Sequence, residues 1–450
     1  MRIPTLSNVA FILTLSLVVG YVATFFVVLV SKQHGLDPTV LTGDARGYIL
    51  LSENIFSHHV FSISREAPFA VESFRAPGYP FFLGLIHLVS GTWITTLFAQ
   101  SLLLSVAPVL LYILARPYNE RAAFWGSIVF IFEPIRLFLG ASLLSDGFFL
   151  TVLLSMLILF TRAQREENAK RQLYMYTASG LVLGACILTR PIAMFLPLLG
   201  ILCILVARHF SQSALKAVLV FSIATLIVVG PWMLRNHMIF NSYGIASVGN
   251  ANLMLYNAPE FLKYSPSEEK QAILDTFRKE QDSLSREDAL SLSRSSVFTS
   301  TFREIIRGEE LSYLWFHLFK TIPFFLTDGL RDTIRLMGIE VGVVPNISSA
   351  LLKGDIGTVF EYMKSGGLSV GLLLIGTGFW IVTCVLAGLT IVKLLFARSF
   401  ALALSVSGLI LYFAILTGPV SNARYRVPVE GFLIVVAMAS IVRNKELRNL

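Results

Sequence analysis

The sequence predicts an all-α, polytopic integral membrane protein. Of its 450 residues, 55% are hydrophobic and only 14% are charged, with a mean hydropathy of +0.71. Soluble proteins carry roughly 25% charged residues. Apolar runs recur from Ala10 to Ile441, so most of the chain is expected to share one bilayer-embedded core. A soluble enzyme, a disordered chain and a disulfide scaffold are excluded.

Ten apolar runs approach the roughly 20 residues that a spanning helix needs. Two shorter runs, Pro77 to Val89 and Leu311 to Leu326, contain or adjoin Pro, His or Lys and are assigned to the membrane interface. The prediction is one domain over 1–450 with about 10–12 transmembrane helices and no soluble C-terminal domain. The ten runs cover residues 8–31, 92–115, 122–140, 146–161, 174–190, 191–208, 214–234, 367–392, 399–417 and 427–443.

Basic loops predict the orientation, because short cytoplasmic loops are rich in Lys and Arg. With a cytoplasmic N-terminus, every short basic loop and the basic C-terminal tail fall on the cytoplasmic side of the plasma or inner membrane. The outward segments are then a first loop at 32–91, a short turn near 142–146, a large helical loop at 235–366 and a turn near 418–427 within the C-terminal helices of 367–450. The basic segments are Arg116–Arg121, Arg162–Arg171, Ala207–Lys216, Lys393–Ser399 and the tail RNKELRNL.

The large outward loop is predicted to be helical. Ser265-Pro266-Ser267-Glu268 is a capping-box start with proline at the first helical position. An apolar stripe follows at near-helical spacing and is expected to lie on the membrane-embedded core. Its residues are Leu290, Phe298, Phe302, Ile305 and Ile306.

The net charge of +8 is attributed to topology and anionic lipid, not to nucleic acid, because no basic run is interleaved with aromatic residues. The three cysteines all lie in hydrophobic stretches and are expected to be packing residues, without disulfides or a zinc site. The first apolar run is longer than a signal-peptide core and is read as an uncleaved membrane helix.

Five polar motifs fall at the predicted outer ends of helices, where a charge is rarely retained without a reason. Arg190-Pro191 adds another cation at an outer boundary, and Glu133-Pro134 with Arg136 is polar at mid-membrane. The five motifs are Gly43-Asp44-Ala45-Arg46-Gly47-Tyr48, the segment 74–82 around Arg75 and Tyr79, Leu144-Ser145-Asp146-Gly147, the segment 230–236 containing Trp232, Arg235 and Asn236, and the segment 422–428 containing Arg424 and Tyr425.

These motifs predict an outward-facing pocket with two acids and several cations. An acid beside apolar surface can act as a base, although Asp44 and Asp146 also suit helix caps. An arginine fork matches phosphate oxygens, although Arg75 also suits a snorkelling position. The chemistry that fits is attack on the phosphate ester of a lipid-linked sugar, without a metal or other cofactor. No phosphate-cradling glycine loop is present, so a nucleotide donor is disfavoured.

The motifs, taken in order, resemble the GT-C superfamily of membrane glycosyltransferases, in the branch of protein O-mannosyltransferases and lipid A aminoarabinose transferases. The resemblance is carried by G-D-A-x-x-Y at 43–48, R-x-P-G-Y-P at 75–80, S-D at 145–146, P-W-x-x-R-N at 231–236 and R-Y-x-x-P at 424–428. It implies a polyprenyl-phosphate-monosaccharide donor, inversion at the anomeric carbon and an extracytoplasmic acceptor such as a glycolipid, polysaccharide or protein. The first-loop acid is single here, where the protein O-mannosyltransferases have an Asp-Glu pair.

The resemblance implies roles for individual residues. Asp44 matches the catalytic acid of the first outer loop, and Asp146 the second acid. Arg75 matches the basic residue that contacts the lipid phosphate, with Arg235, Arg424 and Tyr425 as further phosphate partners. Contacts with substrate are expected from Tyr48, Tyr79, Trp232 and Asn236.

Two other functions remain open at this stage. A transporter or flippase of lipid-linked sugars would use the same cations and groove but would need no base. A ligase or polymerase would transfer a preassembled glycan. An acid beside the phosphate cluster favours catalysis, whereas a transporter is expected to place polar residues at mid-membrane.

Overall fold

A computed structural model describes residues 6–330, 333–334, 355–365, 367–397 and 399–442. The described residues form helices joined by turns and contain no β-strand, which confirms the all-α prediction. Parts of the predicted loop at 235–366 and the basic tail at 443–450 lie outside the described residues.

The N-terminal half contains eleven α-helices among the described residues. They are α1 (Leu6–Gln33), α2 (Gly43–His58), α3 (Gly78–Ser90), α4 (Trp93–Leu104), α5 (Ala107–Ala115), α6 (Glu120–Ile131), α7 (Pro134–Gly140), α8 (Ser145–Arg165), α9 (Ala169–Thr189), α10 (Leu196–Ala207) and α11 (Gln212–Phe240).

Short helices follow α11, and three long helices complete the chain. The described helices are α12 (Val248–Asn252), α13 (Ala258–Tyr264), α14 (Glu268–Asp282), α15 (Arg286–Ala289), α16 (Ser295–Ile306), α17 (Glu310–Phe319), α18 (Ile322–Leu326), α19 (Ile356–Ser365), α20 (Gly367–Phe396), α21 (Phe400–Thr417) and α22 (Ala423–Ile441). A π-helical turn, Leu253–Asn257, joins α12 to α13.

Seven helical segments of the described chain are long and apolar enough to cross a membrane, and α6 with α7 makes an eighth if that bent pair counts as one span. These eight coincide with eight of the ten predicted runs. The axis bends by 61° between α6 and α7. Pro134 opens α7, and the Glu133 side chain caps it by accepting from the backbone N–H of Arg136.

The other two predicted spans are helical but do not meet the same criteria. The run at 191–208 begins with a short 3₁₀ turn, so that α10 itself has only 12 residues. Residues 427–441 of the run at 427–443 lie in α22, whose first half carries Arg424, Arg426 and Glu430. The segments assigned to the interface form α3 and the pair α17 and α18, each shorter than a span.

The core of the bundle lies between α8, α9, α11 and α22. Leu153 and Leu183 are buried there with Phe221 and Leu433. Gly180 allows α9 to approach α11 closely, because a Cβ at this position would lie 2.4 Å from the carbonyl oxygen of Phe221. Such close backbone approach through small residues is typical of membrane helix pairs.

The helices after α11 build a second core of their own. Phe298, Phe302 and Ile305 of α16 pack with Phe261 of α13 and Phe277 of α14, apart from the bundle core. The expectation that this stripe lies on the membrane-embedded core is therefore wrong. The aromatic residues of α13 and α14 supply the apolar partner instead, and the region forms a cover with its own interior.

Replacing Gly180 with valine is expected to separate α9 from α11. The added side chain would overlap a backbone carbonyl that cannot move independently, and overpacking of this kind costs about 1–3 kcal/mol. The matched control is Gly388→Val in α20, where a Cβ meets no atom within 4 Å. Thermal unfolding in detergent should show a lower Tm for Gly180→Val alone, and equal Tm values would contradict the packing.

Candidate active site

Asp44 lies in the first turn of α2 but does not cap it. Thr42 is the cap, accepting from the backbone N–H of Ala45 at 3.3 Å. The Asp44 carboxylate is therefore available to two arginines. Its Oδ1 accepts from Nη2 of Arg75 at 3.0 Å, and its Oδ2 accepts from Nη1 of Arg424 at 3.1 Å.

Asp146 occupies the first turn of α8 and is 1% exposed. Its Oδ1 pairs with Arg190, which follows the last residue of α9. Its Oδ2 accepts from Nη2 and Nε of Arg424, at 2.9 and 3.0 Å. Arg424 therefore bridges two carboxylates that lie 102 positions apart in the chain.

The two acids and three arginines form one alternating chain of charges at one end of the bundle. Its order is Arg75, Asp44, Arg424, Asp146 and Arg190. Three cations against two anions leave one net positive charge. A partly buried cluster with this imbalance favours an anionic ligand.

Gly47 makes room for Arg75. A Cβ at Gly47 would lie 2.9 Å from both Cζ and Nη1 of that guanidinium. The Arg75 side chain is only 8% exposed and lies over the rings of Tyr48 and Phe74, 5.3 and 5.5 Å from their centres. Three residues of α2, Asp44, Gly47 and Tyr48, therefore fix its orientation.

The arginines set the ionisation of Asp44. Burial alone would raise the pKa of this carboxyl, but Arg424 and Arg75 together outweigh burial and lower the pKa below its ordinary value of 3.8. Asp44 is therefore ionised at neutral pH. Its side chain is 41% exposed, so the charge is accessible to a reactant.

A cavity of about 420 Å³ opens beside the charged chain. Its bundle side carries Asp44, Arg75, Arg190 and Arg424 with Tyr48 and Tyr425. Its opposite side comes from the segment after α11 and from the cover region, where it is lined by Asn250, Asn252, Asn257 and Ser295. The cavity thus has a charged wall and a wall of neutral hydrogen-bonding groups.

A second groove of about 680 Å³ lies on the other side of the segment that carries Arg75. We call it the Arg235 groove, and its lining includes Phe61, Pro77, Phe81, Trp232, Arg235 and Ile239. The Arg235 guanidinium lies 4.5 Å from the Trp232 ring centre and donates to Oδ1 of Asn236 at 2.7 Å. No carboxylate of the described residues forms an ion pair with it.

The structure brings together only some of the residues predicted from sequence. Asp44, Asp146, Arg75 and Arg424 form the charged chain, and Tyr48 and Tyr425 flank it. Trp232 and Arg235 line the neighbouring groove instead. Arg190, noted in the sequence only as a boundary cation, proves to be part of the charged chain; its place before the proline that ends α9 was the available signal.

Tyr79 and Asn236 are fully buried and line neither cavity. The hydroxyl of Tyr79 donates to Oε1 of Gln100 at 2.6 Å. The amide of Asn236 donates to the carbonyl oxygens of Gly244 and Ile245 at 2.7 and 3.2 Å. Both side chains therefore fix helices and the cavity wall, and neither has the exposure that the predicted substrate contact requires.

A search of the described residues finds no group of three or more His, Cys, Asp or Glu side chains arranged to hold a metal ion. Both carboxylates of the charged chain are paired with guanidinium groups, whereas Nη1 of Arg75 is buried without a hydrogen-bond partner in the described part of the chain. The anion-binding groups of the cavity are therefore its arginines.

Residues 74–234 match the family model described as dolichyl-phosphate-mannose-protein mannosyltransferase. The match covers just over a third of the chain and includes Arg75, Asp146 and Arg190. No curated protein sequence matches the chain.

The fold also matches solved structures of membrane glycosyltransferases. The archaeal oligosaccharyltransferase AglB from Archaeoglobus fulgidus, solved with an inhibitory peptide and a dolichol-phosphate, superposes with a TM-score of 0.51 at 13% identity. That match covers 94% of this chain and 50% of AglB, so the chain spans about half the length of that protein.

ArnT from Cupriavidus metallidurans, bound to undecaprenyl phosphate, gives a lower TM-score of 0.41 at 14% identity. That match covers 97% of this chain and 78% of ArnT. The AglB match shows the fold of a polytopic GT-C membrane protein. The predicted resemblance to the GT-C superfamily is confirmed by this fold together with the family match.

The lowered pKa of Asp44 predicts how its contribution to stability depends on pH. A carboxylate with a depressed pKa in the folded state stabilises that state above the unfolded-state pKa, and the contribution is lost as the pH falls through the folded pKa. The Tm difference between wild type and Asp44→Asn should therefore be constant above about pH 5 and disappear only in stronger acid. Melting curves across pH in detergent, with the exposed Glu66→Gln as control, test this. A difference already lost above about pH 5 would contradict the lowered pKa.

Proposed function

We propose that the protein is a membrane glycosyltransferase that moves one monosaccharide from a polyprenyl-phosphate donor to an extracytoplasmic acceptor. The observation that carries the proposal is the Asp44 carboxylate, which is ionised, partly exposed to the cavity, and held between Arg75 and Arg424. The GT-C fold and the mannosyltransferase family match support the same class of reaction.

The Arg235 groove suits the lipid part of the donor. Its wall is largely aromatic and aliphatic, and Phe81 and Ile239 are about half exposed there. A polyprenyl chain in this groove would bury apolar surface, at roughly 25 cal/mol for each Å² removed from water. Arg235 adds positive charge on the groove side of the phosphate, and no carboxylate of the described residues forms an ion pair with it. The segment 74–78 lines both openings, because Phe74, Arg75 and Ala76 line the cavity and Pro77 and Gly78 line the groove. A lipid chain in the groove would therefore place the phosphate at Arg75 and the sugar toward Asp44.

The charged chain suits the chemical step. Asp44 takes the proton of the acceptor hydroxyl, and the acceptor oxygen attacks the anomeric carbon from the face opposite the phosphate. The bond between that carbon and the phosphate oxygen breaks, and its electron pair leaves with the polyprenyl phosphate. The configuration at the anomeric carbon is therefore inverted. Arg75 and Arg424 stabilise the charge that develops on the phosphate.

Donor binding would also activate the base. In the free protein Arg75 and Arg424 lower the pKa of Asp44, which makes the carboxylate a weak proton acceptor. A phosphate that shares these guanidinium groups would reduce their attraction for Asp44. The proton affinity of Asp44 would then rise when the donor is in place, which couples proton abstraction to donor binding.

The neutral wall of the cavity suits a sugar. Asn250, Asn252 and Asn257 offer both donors and acceptors to hydroxyl groups. The acceptor is proposed to be a cell-envelope glycolipid, polysaccharide or protein that enters from the extracytoplasmic side, with both chain termini cytoplasmic. This orientation follows from the basic loops, which lie at the opposite end of the bundle from the cavity.

Replacing Asp44 with asparagine is expected to abolish transfer while the protein remains folded. Loss of a general base reduces the rate by about 10²–10⁴-fold. Purified protein would be given a panel of radiolabelled polyprenyl-phosphate sugars with envelope extract as acceptor. Glu66→Gln, an exposed acid in the same loop, is the matched control and should transfer label at the wild-type rate.

Three outcomes would contradict the proposal. Wild-type turnover by Asp44→Asn would exclude Asp44 as the base. Label that crosses proteoliposome membranes with its linkage unchanged, equally in both proteins, would identify a transporter of lipid-linked sugars instead. Transfer of a preassembled glycan but of no monosaccharide would identify a ligase or polymerase.

Replacing Gly47 with alanine is expected to weaken donor binding. The added methyl group would displace the Arg75 guanidinium from its place against α2, and the donor KM should rise about tenfold, which corresponds to about 1.4 kcal/mol. Gly43→Ala, one turn earlier in α2, is the control because a Cβ there meets no atom within 4 Å. An unchanged KM in Gly47→Ala would argue against a donor contact by Arg75.

A further inference from the structure

Four charged side chains lie inside the bundle, away from the cavity. Glu133 and Arg136 belong to the bend between α6 and α7, and Arg426 and Glu430 lie on α22. Their exposed fractions are 3%, 8%, 0% and 0%. Charges at such depth are costly, and they are retained only when hydrogen bonds or ion pairs satisfy them.

Arg426 and Glu430 form an ion pair with a 3.2 Å separation between Nε and Oε1. The remaining nitrogens of Arg426 donate to the carbonyl oxygens of Phe324 and Thr327, at 2.8 and 2.6 Å. The guanidinium also lies 3.5 Å from the ring centre of Trp380. Arg426 is therefore fully coordinated. Glu430 is its one carboxylate partner among the described residues and must be ionised to balance it.

Glu133 has no such cation. Its Oε2 accepts from the backbone N–H of Arg136 at 2.9 Å. The guanidinium of Arg136 points elsewhere and donates to the carbonyl oxygen of Ile131 and to the hydroxyl of Ser16, at 2.9 and 2.8 Å. Among the described residues, no Lys, Arg or His forms an ion pair with Glu133.

Two oxygens in this cluster remain without a donor, Oε1 of Glu133 and Oε2 of Glu430. The two carboxyl groups lie within hydrogen-bonding reach of each other. Glu133 directly precedes α7, and Glu430 lies on α22. The neighbouring helix α6 packs so closely on α22 that a Cβ at Gly126 would lie 2.6 Å from Cγ2 of Val435. Two ionised carboxylate oxygens that face each other are both acceptors, so no hydrogen bond forms between them. With one proton between them, one oxygen donates and the other accepts, and both have a hydrogen-bond partner.

We infer that Glu133 is a neutral carboxylic acid whose Oε1–H donates to Oε2 of Glu430, and that this bond is a positioning element for Arg424. The assignment is asymmetric. Glu430 keeps its charge because Arg426 requires it, and Glu133 holds the proton because no cation pairs with it. A single proton thus completes the hydrogen bonding of both side chains.

The positioning role follows from the path of α22 and rests on the proposed function. Glu430 lies six residues after Arg424 on the same helix, roughly 9 Å along its axis. The bond to Glu133 holds this part of α22 against the bend of α6 and α7, while Arg426 holds it to the segment at Phe324 and Thr327. Arg424 can bridge Asp44 and Asp146 only while α22 keeps this position.

The asymmetry gives a matched pair of variants. In Glu133→Gln the amide N–H₂ takes the place of the acid proton, and the amide oxygen can still accept from Arg136. This variant should keep the wild-type Tm and kcat. Glu430→Gln removes the partner of a buried guanidinium and should lower the Tm by roughly 5 °C or more. Glu133→Leu, which cannot donate, should lower kcat roughly tenfold with an unchanged acceptor KM.

Infrared spectroscopy of the purified wild-type protein detects the proton directly. A protonated carboxyl group in a dry site gives a C=O stretching band that shifts in D₂O. The band attributed to Glu133 should be present at neutral pH, absent from Glu133→Gln and retained in Asp44→Asn. The infrared band and the Tm values are measured without substrate, so they test the inference even if the protein transfers no sugar. Absence of sugar transfer would contradict only the proposed function.

Three results would overturn the inference. The first is an infrared spectrum of Glu133→Gln identical to that of wild type. The second is a loss of Tm in Glu133→Gln as large as that in Glu430→Gln, which would mean that Glu133 carries a charge. The third is full kcat in Glu133→Leu, which would separate the hydrogen bond from the placement of Arg424.

Discussion

The double ion pair of Arg424 is the interaction on which the candidate site depends. It joins the first turns of α2, α8 and α22, three elements that are remote in sequence, through Asp44 and Asp146. Carboxylates are favoured in the first turn of a helix, but an arginine in that position opposes the helix dipole. Arg424 is retained there because two carboxylates outweigh this cost, and it is therefore unlike an ordinary boundary cation. Removing either acid would leave the half-buried Arg424 guanidinium with one carboxylate partner fewer.

The surroundings of this ion pair determine what it can bind. Arg75 and Arg190 extend the chain of charges at its two ends, and the excess of one cation makes the cavity attractive to an anion. Gly47 matters as much as the charged residues, because its missing side chain is the space in which Arg75 lies. The neutral amide wall opposite supplies hydrogen bonds without adding charge. Anion recognition and hydroxyl recognition are thus separated across one cavity.

Much of this architecture was predictable from local sequence. Hydropathy identified the helices, and polar motifs at helix ends identified Asp44, Asp146, Arg75 and Arg424. Pairing between remote segments was not predictable, because hydropathy and motif spacing carry no information about which helix ends meet. For the same reason Arg235 was grouped with the other arginines, although it lines a separate groove. Tyr79 and Asn236 sit in the right motifs, but full burial commits them to internal hydrogen bonds.

The polarity of α22 explains why length and hydropathy describe it poorly. In its first half Arg424 lines the cavity, whereas Arg426 and Glu430 are buried within the bundle. Charged residues therefore occur at two depths along this helix. A helix held by apolar contacts alone can slide or rotate at small cost, since lipid and protein are equally apolar partners. Directional bonds from Arg426 and Glu430 fix both rotation and depth. Burying these charges costs free energy, but their directional bonds hold α22 in the position in which it presents Arg424 to the two acids.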